Sequence, residues 1–200
     1  MHHWVPVTTQ GGYVLAGTYN PTSAGDKKAP AAWRPANLDP ALAHLIADHP
    51  HAGEIQIGNL LEARATRYIA DHPAYVAKVA YQNSLRLFDL SGLGFSRVAT
   101  FEEYGYEAPW GTLEAVSGVA MLVLALIGFG LRRGRRVPAA YLAIPVVLYV
   151  STVALQAVPR FRSEIDPFLL QLSAVTIVTV MGTVRRRPTR LRSLRAPTSA

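Results

Sequence analysis

The sequence predicts a mostly α-helical integral membrane protein with three C-terminal transmembrane helices and an N-terminal extracytoplasmic helical region. Half of the 200 residues are hydrophobic, and the long apolar runs all follow residue 112. Residues 1–112 contain eight basic and ten acidic residues, whereas residues 113–200 contain twelve arginines and three acidic residues. Basic charge beside long apolar runs is typical of membrane proteins with basic cytoplasmic loops.

Three apolar segments are the predicted spans: 113–131, 137–159 and 167–184. A helix needs about 20 apolar residues to cross a bilayer, and each segment is close to that length. The first segment contains one acidic residue and the others contain none. A soluble protein of this size could not cover three such helices, so spans are favoured over buried core helices.

The arginines predict the orientation. RRGRR (132–136) joins the first two spans, and RRRPTRLRSLR (185–195) follows the third. Short basic flanks are retained in the cytoplasm. We therefore expect a multi-pass protein of the cell (plasma) membrane, with an extracytoplasmic region 1–112, a transmembrane region 113–184 and a basic cytoplasmic tail 185–200. The turn PRFRSEIDP (159–167) then faces outward.

Export of residues 1–112 needs a signal, and none is visible before the first span. The first 20 residues lack the basic start and apolar core of a signal peptide. Either the first span acts as a reverse anchor, or the chain is the C-terminal piece of a longer membrane protein. The second interpretation is favoured.

Several elements are predicted in the N-terminal half. Residues 11–40 are expected to form loops with one short strand at Tyr13–Ala16. Asp39 followed by Pro40 is typical of a helix start, so we expect a short helix from Pro40 to Asp48. Amphipathic spacing predicts two longer helices, over 54–70 and 73–88.

Histidine and acidic residues are candidates for a metal or catalytic site. IADHP occurs at 46–50 and 69–73, and a repeated helix stop is a better interpretation than a repeated metal site. The chain has no cysteine, and we expect no metal or cofactor. The acids of FEEYGYEAPWG (101–111) could act as catalytic bases, but a juxtamembrane turn with Tyr104, Tyr106 and Trp110 in an aromatic belt is favoured.

The arginine turn has two interpretations. Arg160 could pair with Glu164 and Arg162 with Asp166, since each pair is four residues apart, and long arginines can also reach lipid headgroups. Alternatively, Arg160 and Arg162 bind a lipid-linked phosphate, because guanidinium forms paired hydrogen bonds with phosphate and keeps its charge.

Four stretches resemble one family in their order along the chain. They are WVPVTTQGGYVLAGTYN, NLLEARATRYIADHPAYVAKVAYQNSLRLF, a basic turn, and PRFRSEIDPFLL. Together they resemble the C-terminal part of bacterial family 39 membrane glycosyltransferases of the dolichyl-phosphate-mannose protein mannosyltransferase type, with GT-C architecture. The resemblance implies inverting sugar transfer from a polyprenyl-phosphate donor on the external face, with Arg160 and Arg162 helping to hold the carrier phosphate.

The family carries its catalytic acid in an early external loop, and no position in this sequence matches it. The catalytic residues are therefore unknown, and we expect the chain alone to be inactive. The implied partners are membrane lipids, the polyprenyl-phosphate sugar donor and an upstream polypeptide or companion subunit. The alternative is a non-enzymatic three-span protein that presents an external helical domain to a partner. Nucleic-acid binding is the weakest hypothesis, because lipid attraction and cytoplasmic retention account for the basic tail.

Overall fold

The computed structural model describes residues 10–95, 105, 108–131 and 138–186, and their regular structure is helical without strands. The basic runs 132–136 and 187–200, and Tyr104 and Tyr106 of the expected aromatic belt, lie outside these residues. The α-helices are α1 (Gly11–Thr18), α2 (Pro21–Gly25), α3 (Pro40–Ala47), α4 (Glu54–Asp71), α5 (Pro73–Leu87), α6 (Ala108–Gly130), α7 (Ala139–Leu155) and α8 (Asp166–Arg186). Two 3-10 helices, Ala36–Leu38 and Pro159–Glu164, complete this set.

Helices α1 to α5 form an N-terminal helical layer with its own apolar core. Helix α1 crosses α4 closely at Gly12, where a Cβ atom would overlap the carbonyl of Gly58. Buried side chains from α3, α4 and α5 surround this crossing, including Leu42, Leu61 and Val79. Burial of these apolar surfaces stabilises the layer.

The strand expected at Tyr13–Ala16 is wrong, because these residues belong to helix α1, and the loop expected over 11–40 is interrupted by α1 and α2. The many Gly, Pro, Thr, Asn and Ala residues of this segment suggested a loop. In the structure, the same small residues let α1 lie directly on α4, and Ala16 is fully buried. Tertiary packing thus outweighs the weak helix propensity of glycine.

The three other predictions for the layer are confirmed to within one residue. Helix α3 begins after Asp39, whose Oδ1 accepts hydrogen bonds from the backbone N–H groups of Ala41 and Leu42. Helix α4 ends at Asp71 and α5 ends at Leu87, against expected ends at 70 and 88. Caps, proline positions and apolar spacing were sufficient to find them.

Each IADHP repeat ends a helix. Nδ1 of His49 lies 2.8 Å from the carbonyl oxygen of Leu45, and Nδ1 of His72 lies 3.1 Å from that of Tyr68. Both histidines therefore cap a carbonyl four residues earlier, where a helix end leaves such groups unpaired. In the described residues, no group of three His, Asp or Glu side chains is arranged to hold a metal ion.

Helices α6 and α8 are long and apolar enough to cross a membrane, over Pro109–Gly130 and Asp166–Thr183. They pack side by side along small residues. At Gly128 a Cβ atom would overlap the carbonyl oxygen of Leu172, and Thr176 Oγ1 donates to the carbonyl of Leu124 over 2.7 Å. Small residues and short interhelical hydrogen bonds are typical contacts between membrane helices.

Helix α7 is shorter than the span expected over 137–159. It ends at Leu155, and the chain is extended to Val158 before the 3-10 turn begins. Helix α6 begins at Ala108, so the boundary expected between residues 112 and 113 falls inside a helix. The outer sides of α6, α7 and α8 expose apolar residues, among them Val116, Leu126, Val147, Val150, Leu170 and Val178.

Candidate functional site

The predicted site lies in the 3-10 turn between α7 and α8, and the structure separates its two arginines. Arg160 is exposed, whereas Arg162 is only 5% exposed. A 3-10 helix has three residues per turn, so side chains two residues apart point in different directions. Arg160 and Arg162 therefore have different surroundings and cannot be treated as one pair.

Arg162 is surrounded by three carboxylates, from the turn after α5, from α6 and from the start of α8. Its Nη1 donates to Oδ2 of Asp89 over 2.6 Å, and its Nε donates to Oδ1 of Asp166 over 3.1 Å. Nη2 lies 3.7 Å from Oε1 of Glu114. The expected pairing of Arg162 with Asp166 is confirmed, while the contacts with Asp89 and Glu114 could not be predicted from local spacing.

The backbone around this cluster is shaped to admit the guanidinium. A Cβ atom at Gly118 of helix α6 would overlap the Arg162 guanidinium, so only glycine leaves this space free. Asp89 has a φ of 58°, a conformation uncommon outside glycine. Its side chain is fully buried, and its Oδ1 has no hydrogen-bond partner. Three acidic groups thus share one guanidinium, and the Arg162 and Asp89 side chains at its centre are buried.

Arg160 is exposed on the turn and contacts the neighbouring aromatic ring. Its guanidinium carbon lies 4.9 Å from the centre of the Phe161 ring, in a cation–π contact. Phe161 also packs against the buried cluster of Leu87, Val153, Ala157 and Ile165. The turn is therefore held by the apolar contacts of Phe161 and by the ion pairs of Arg162, and Arg160 is exposed beside them.

Sequence reasoning missed a second connection, at the C-terminal end of α7. Asn83 Nδ2 donates to the carbonyl of Val153 over 3.0 Å, Tyr19 OH to Ala154 over 2.6 Å and Thr18 Oγ1 to Leu155 over 2.7 Å. The backbone N–H of Gln156 bonds the preceding carbonyl, that of Thr152. All four terminal carbonyls of α7, which a helix cannot satisfy by itself, are therefore paired.

A third polar element is the buried arginine of α5. Arg86 is 3% exposed, and it donates to the carbonyl of Ala31, to that of Pro30 and to Oδ1 of Asn83. Burial lowers the pKa of Arg86. The acceptors are neutral. The hydrogen bonds to Pro30 and Ala31 hold the loop before α3 in place, and the bond to Asn83 orients its side chain toward α7. No sequence signal distinguished this arginine from the exposed ones.

The guanidinium of Arg160 is exposed, so it could contact an anion. The hydrogen bonds of Arg162 fix the backbone of the turn. The turn contains no nucleophile activated by a base among the described residues, and no described residue is assigned as a catalytic acid. A search of protein-family models, of curated proteins and of solved structures found no match for this chain.

Proposed function

We propose that this chain forms the C-terminal portion of a membrane glycosyltransferase that uses a polyprenyl-phosphate sugar donor on the external face of the plasma membrane. The observation that carries the proposal is the exposed Arg160, held in a rigid turn where two apolar helices meet. A guanidinium can bind a carrier phosphate through paired hydrogen bonds. Such a contact would favour departure of the phosphate leaving group.

The proposal places α6, α7 and α8 across the bilayer. Helix α7 has 17 residues and a length of about 25 Å, and the extended residues after it can complete the crossing. The basic runs then lie in the cytoplasm, and the N-terminal helical layer and the arginine turn lie outside. The exposed apolar residues of the three helices support this placement, because lipid would cover them.

Within this proposal the two arginines have different roles. Arg160 is the phosphate contact. Arg162 is a positioning residue, because it is buried and its guanidinium binds Asp89 and Asp166. The catalytic acid is assigned to an upstream polypeptide or companion subunit, and we expect the chain alone to have no transferase activity.

A binding experiment tests this division of roles. The protein in phosphatidylcholine nanodiscs is titrated with polyprenyl phosphate, and bound lipid is measured by native mass spectrometry. Arg160→Gln should weaken binding about tenfold, since one charge-assisted contact is lost. Lys27→Gln, which removes an exposed charge elsewhere in the layer, should bind as the wild type does. Equal binding by the Arg160→Gln variant and the wild type would exclude Arg160 as the phosphate contact.

A second candidate function is a non-enzymatic three-span protein that presents the N-terminal helical layer to a protein partner. The observation favouring it is the paired end of α7, which attaches the layer firmly to an apolar helix. It predicts that the chain folds without any other polypeptide. Cooperative unfolding of the purified chain, together with no effect of Arg160→Gln on lipid binding, would favour this candidate over the first.

A further inference from the structure

A cleft of about 340 Å³ lies in the N-terminal helical layer, away from the arginine turn. It is bordered by the junction of α1 and α2, by α3 and by the C-terminal half of α4. Ligand sites in proteins typically have volumes of about 300–1,000 Å³ and combine an apolar lining with a few polar groups. The cleft falls within this size range.

The cleft has an apolar floor and a basic rim. Leu42, Leu45 and Leu60 supply apolar surface. Arg64 and Arg67 lie three residues apart on α4, both line the cleft and both are exposed. Neither forms an ion pair or a hydrogen bond with another described residue. Two guanidinium groups are thus available beside an apolar surface.

The buried acid of the cleft, Asp39, forms no ion pair with either arginine, and its oxygens bond groups of its own surroundings. Oδ1 of Asp39 accepts the N–H groups at the start of α3, and Oδ2 accepts the hydroxyl of Thr22 over 2.6 Å. The phenol of Tyr19 is likewise used, since it donates to Ala154. Asp71 is the other acidic residue on the rim, and it is exposed to water.

We propose that this cleft binds a small soluble organic anion, a phosphate monoester or carboxylate, whose apolar part rests on the leucine floor. Arg64 and Arg67 would bind the anionic group through charge-assisted hydrogen bonds. The proposal is independent of the lipid-phosphate contact at Arg160, because the cleft is formed by different helices. In the membrane orientation of the proposed function, this ligand would bind on the external side of the protein.

The test uses phenyl phosphate, which combines an anion with an apolar ring. Inorganic phosphate and benzyl alcohol serve as probes that carry only one of these features. Calorimetric titration of the full chain in phosphatidylcholine nanodiscs should show tighter binding of phenyl phosphate than of either simpler probe. The double variant R64Q/R67Q should weaken that binding at least about tenfold.

Matched controls make the result specific. K27Q/K28Q removes the same charge from an exposed part of the layer outside the cleft, so it should bind phenyl phosphate as the wild type does. R160Q should also retain this binding, even if it loses polyprenyl phosphate. Because all the changed side chains are exposed, we expect every variant to fold. Thermal unfolding of each variant checks this.

Three results would overturn the proposal. The first is equal binding of phenyl phosphate by R64Q/R67Q and the wild type, and the second is an equal loss in K27Q/K28Q. The third is competition by phosphatidylglycerol in the nanodisc, which would identify a lipid headgroup rather than a soluble anion as the occupant. Phenyl phosphate affinity that is unchanged by phosphatidylglycerol supports a soluble ligand.

Discussion

Arg162 and Asp89 are 73 positions apart and form a hydrogen-bonded ion pair of 2.6 Å in which both side chains are buried. The pair joins the turn after α7 to the end of α5. It thereby connects the N-terminal helical layer with the apolar helices. Removing one member of a buried pair leaves an uncompensated charge, which is more costly than losing an exposed pair.

Arg162→Met should therefore be strongly destabilising, by about 3–5 kcal/mol, because the substitution leaves three carboxylates without their guanidinium. Asp89→Asn should cost less, since Asp166 and Glu114 still compensate Arg162. Chemical unfolding of the detergent-solubilised protein, followed by circular dichroism, measures both. The exposed Lys27→Gln variant is the control and should unfold as the wild type does. Equal stability of Arg162→Met and Lys27→Gln would show that the buried cluster contributes no net stability.

The close crossing of α6 and α8 predicts that alanine substitutions at two glycines affect stability differently. Gly128→Ala places a methyl group against the backbone of Leu172, so we expect a loss of about 1–3 kcal/mol. Gly182→Ala has open space around its Cβ atom and should be neutral or slightly stabilising, because alanine favours helix. Unfolding in a graded series of sodium dodecyl sulfate compares the two. A similar response of both variants would contradict the close approach at Gly128.

The paired end of α7 predicts that its caps contribute to stability. Tyr19→Phe removes the hydroxyl that bonds Ala154 and should cost about 1 kcal/mol, with the carbonyl left unpaired. Tyr81→Phe removes a hydroxyl from an exposed side chain and should have no effect. Thermal unfolding compares these variants. Hydrogen exchange of the α7 backbone should rise in Tyr19→Phe only, and unchanged exchange would exclude the cap.

Tyr75 predicts loss of stability at high pH. Burial, with Tyr68 and Tyr19 nearby, raises the pKa of Tyr75 above its ordinary value of about 10. A phenol with a raised pKa contributes stability that is complete below the unfolded pKa and is lost as pH rises toward the folded pKa. The free energy of unfolding should therefore fall as pH rises above about 10, the ordinary pKa of a tyrosine. Tyr75→Phe should show a shallower fall of the free energy of unfolding with pH, as measured by chemical unfolding at each pH. The same fall as in the wild type would contradict this prediction.

The sequence was informative where structure depends on neighbours along the chain. Asp39 with Pro40 marked the start of α3, and the spacing of Arg162 and Asp166 indicated their contact. It was uninformative where a distant residue decides the outcome. Helix α1 packs on α4 where Gly12 meets Gly58, and Arg162 bonds Asp89 and Glu114, which are distant from it in the sequence. The cleft at Arg64 and Arg67 likewise needs three helices at once.

The donors that pair the end of α7 impose an order on biosynthesis. Thr18, Tyr19 and Asn83 are synthesised early, yet their acceptors are the carbonyls of residues 153 to 155. The N-terminal layer must therefore wait for most of the chain to leave the ribosome before its last hydrogen bonds can form. Until then, these three donors lack their native acceptors.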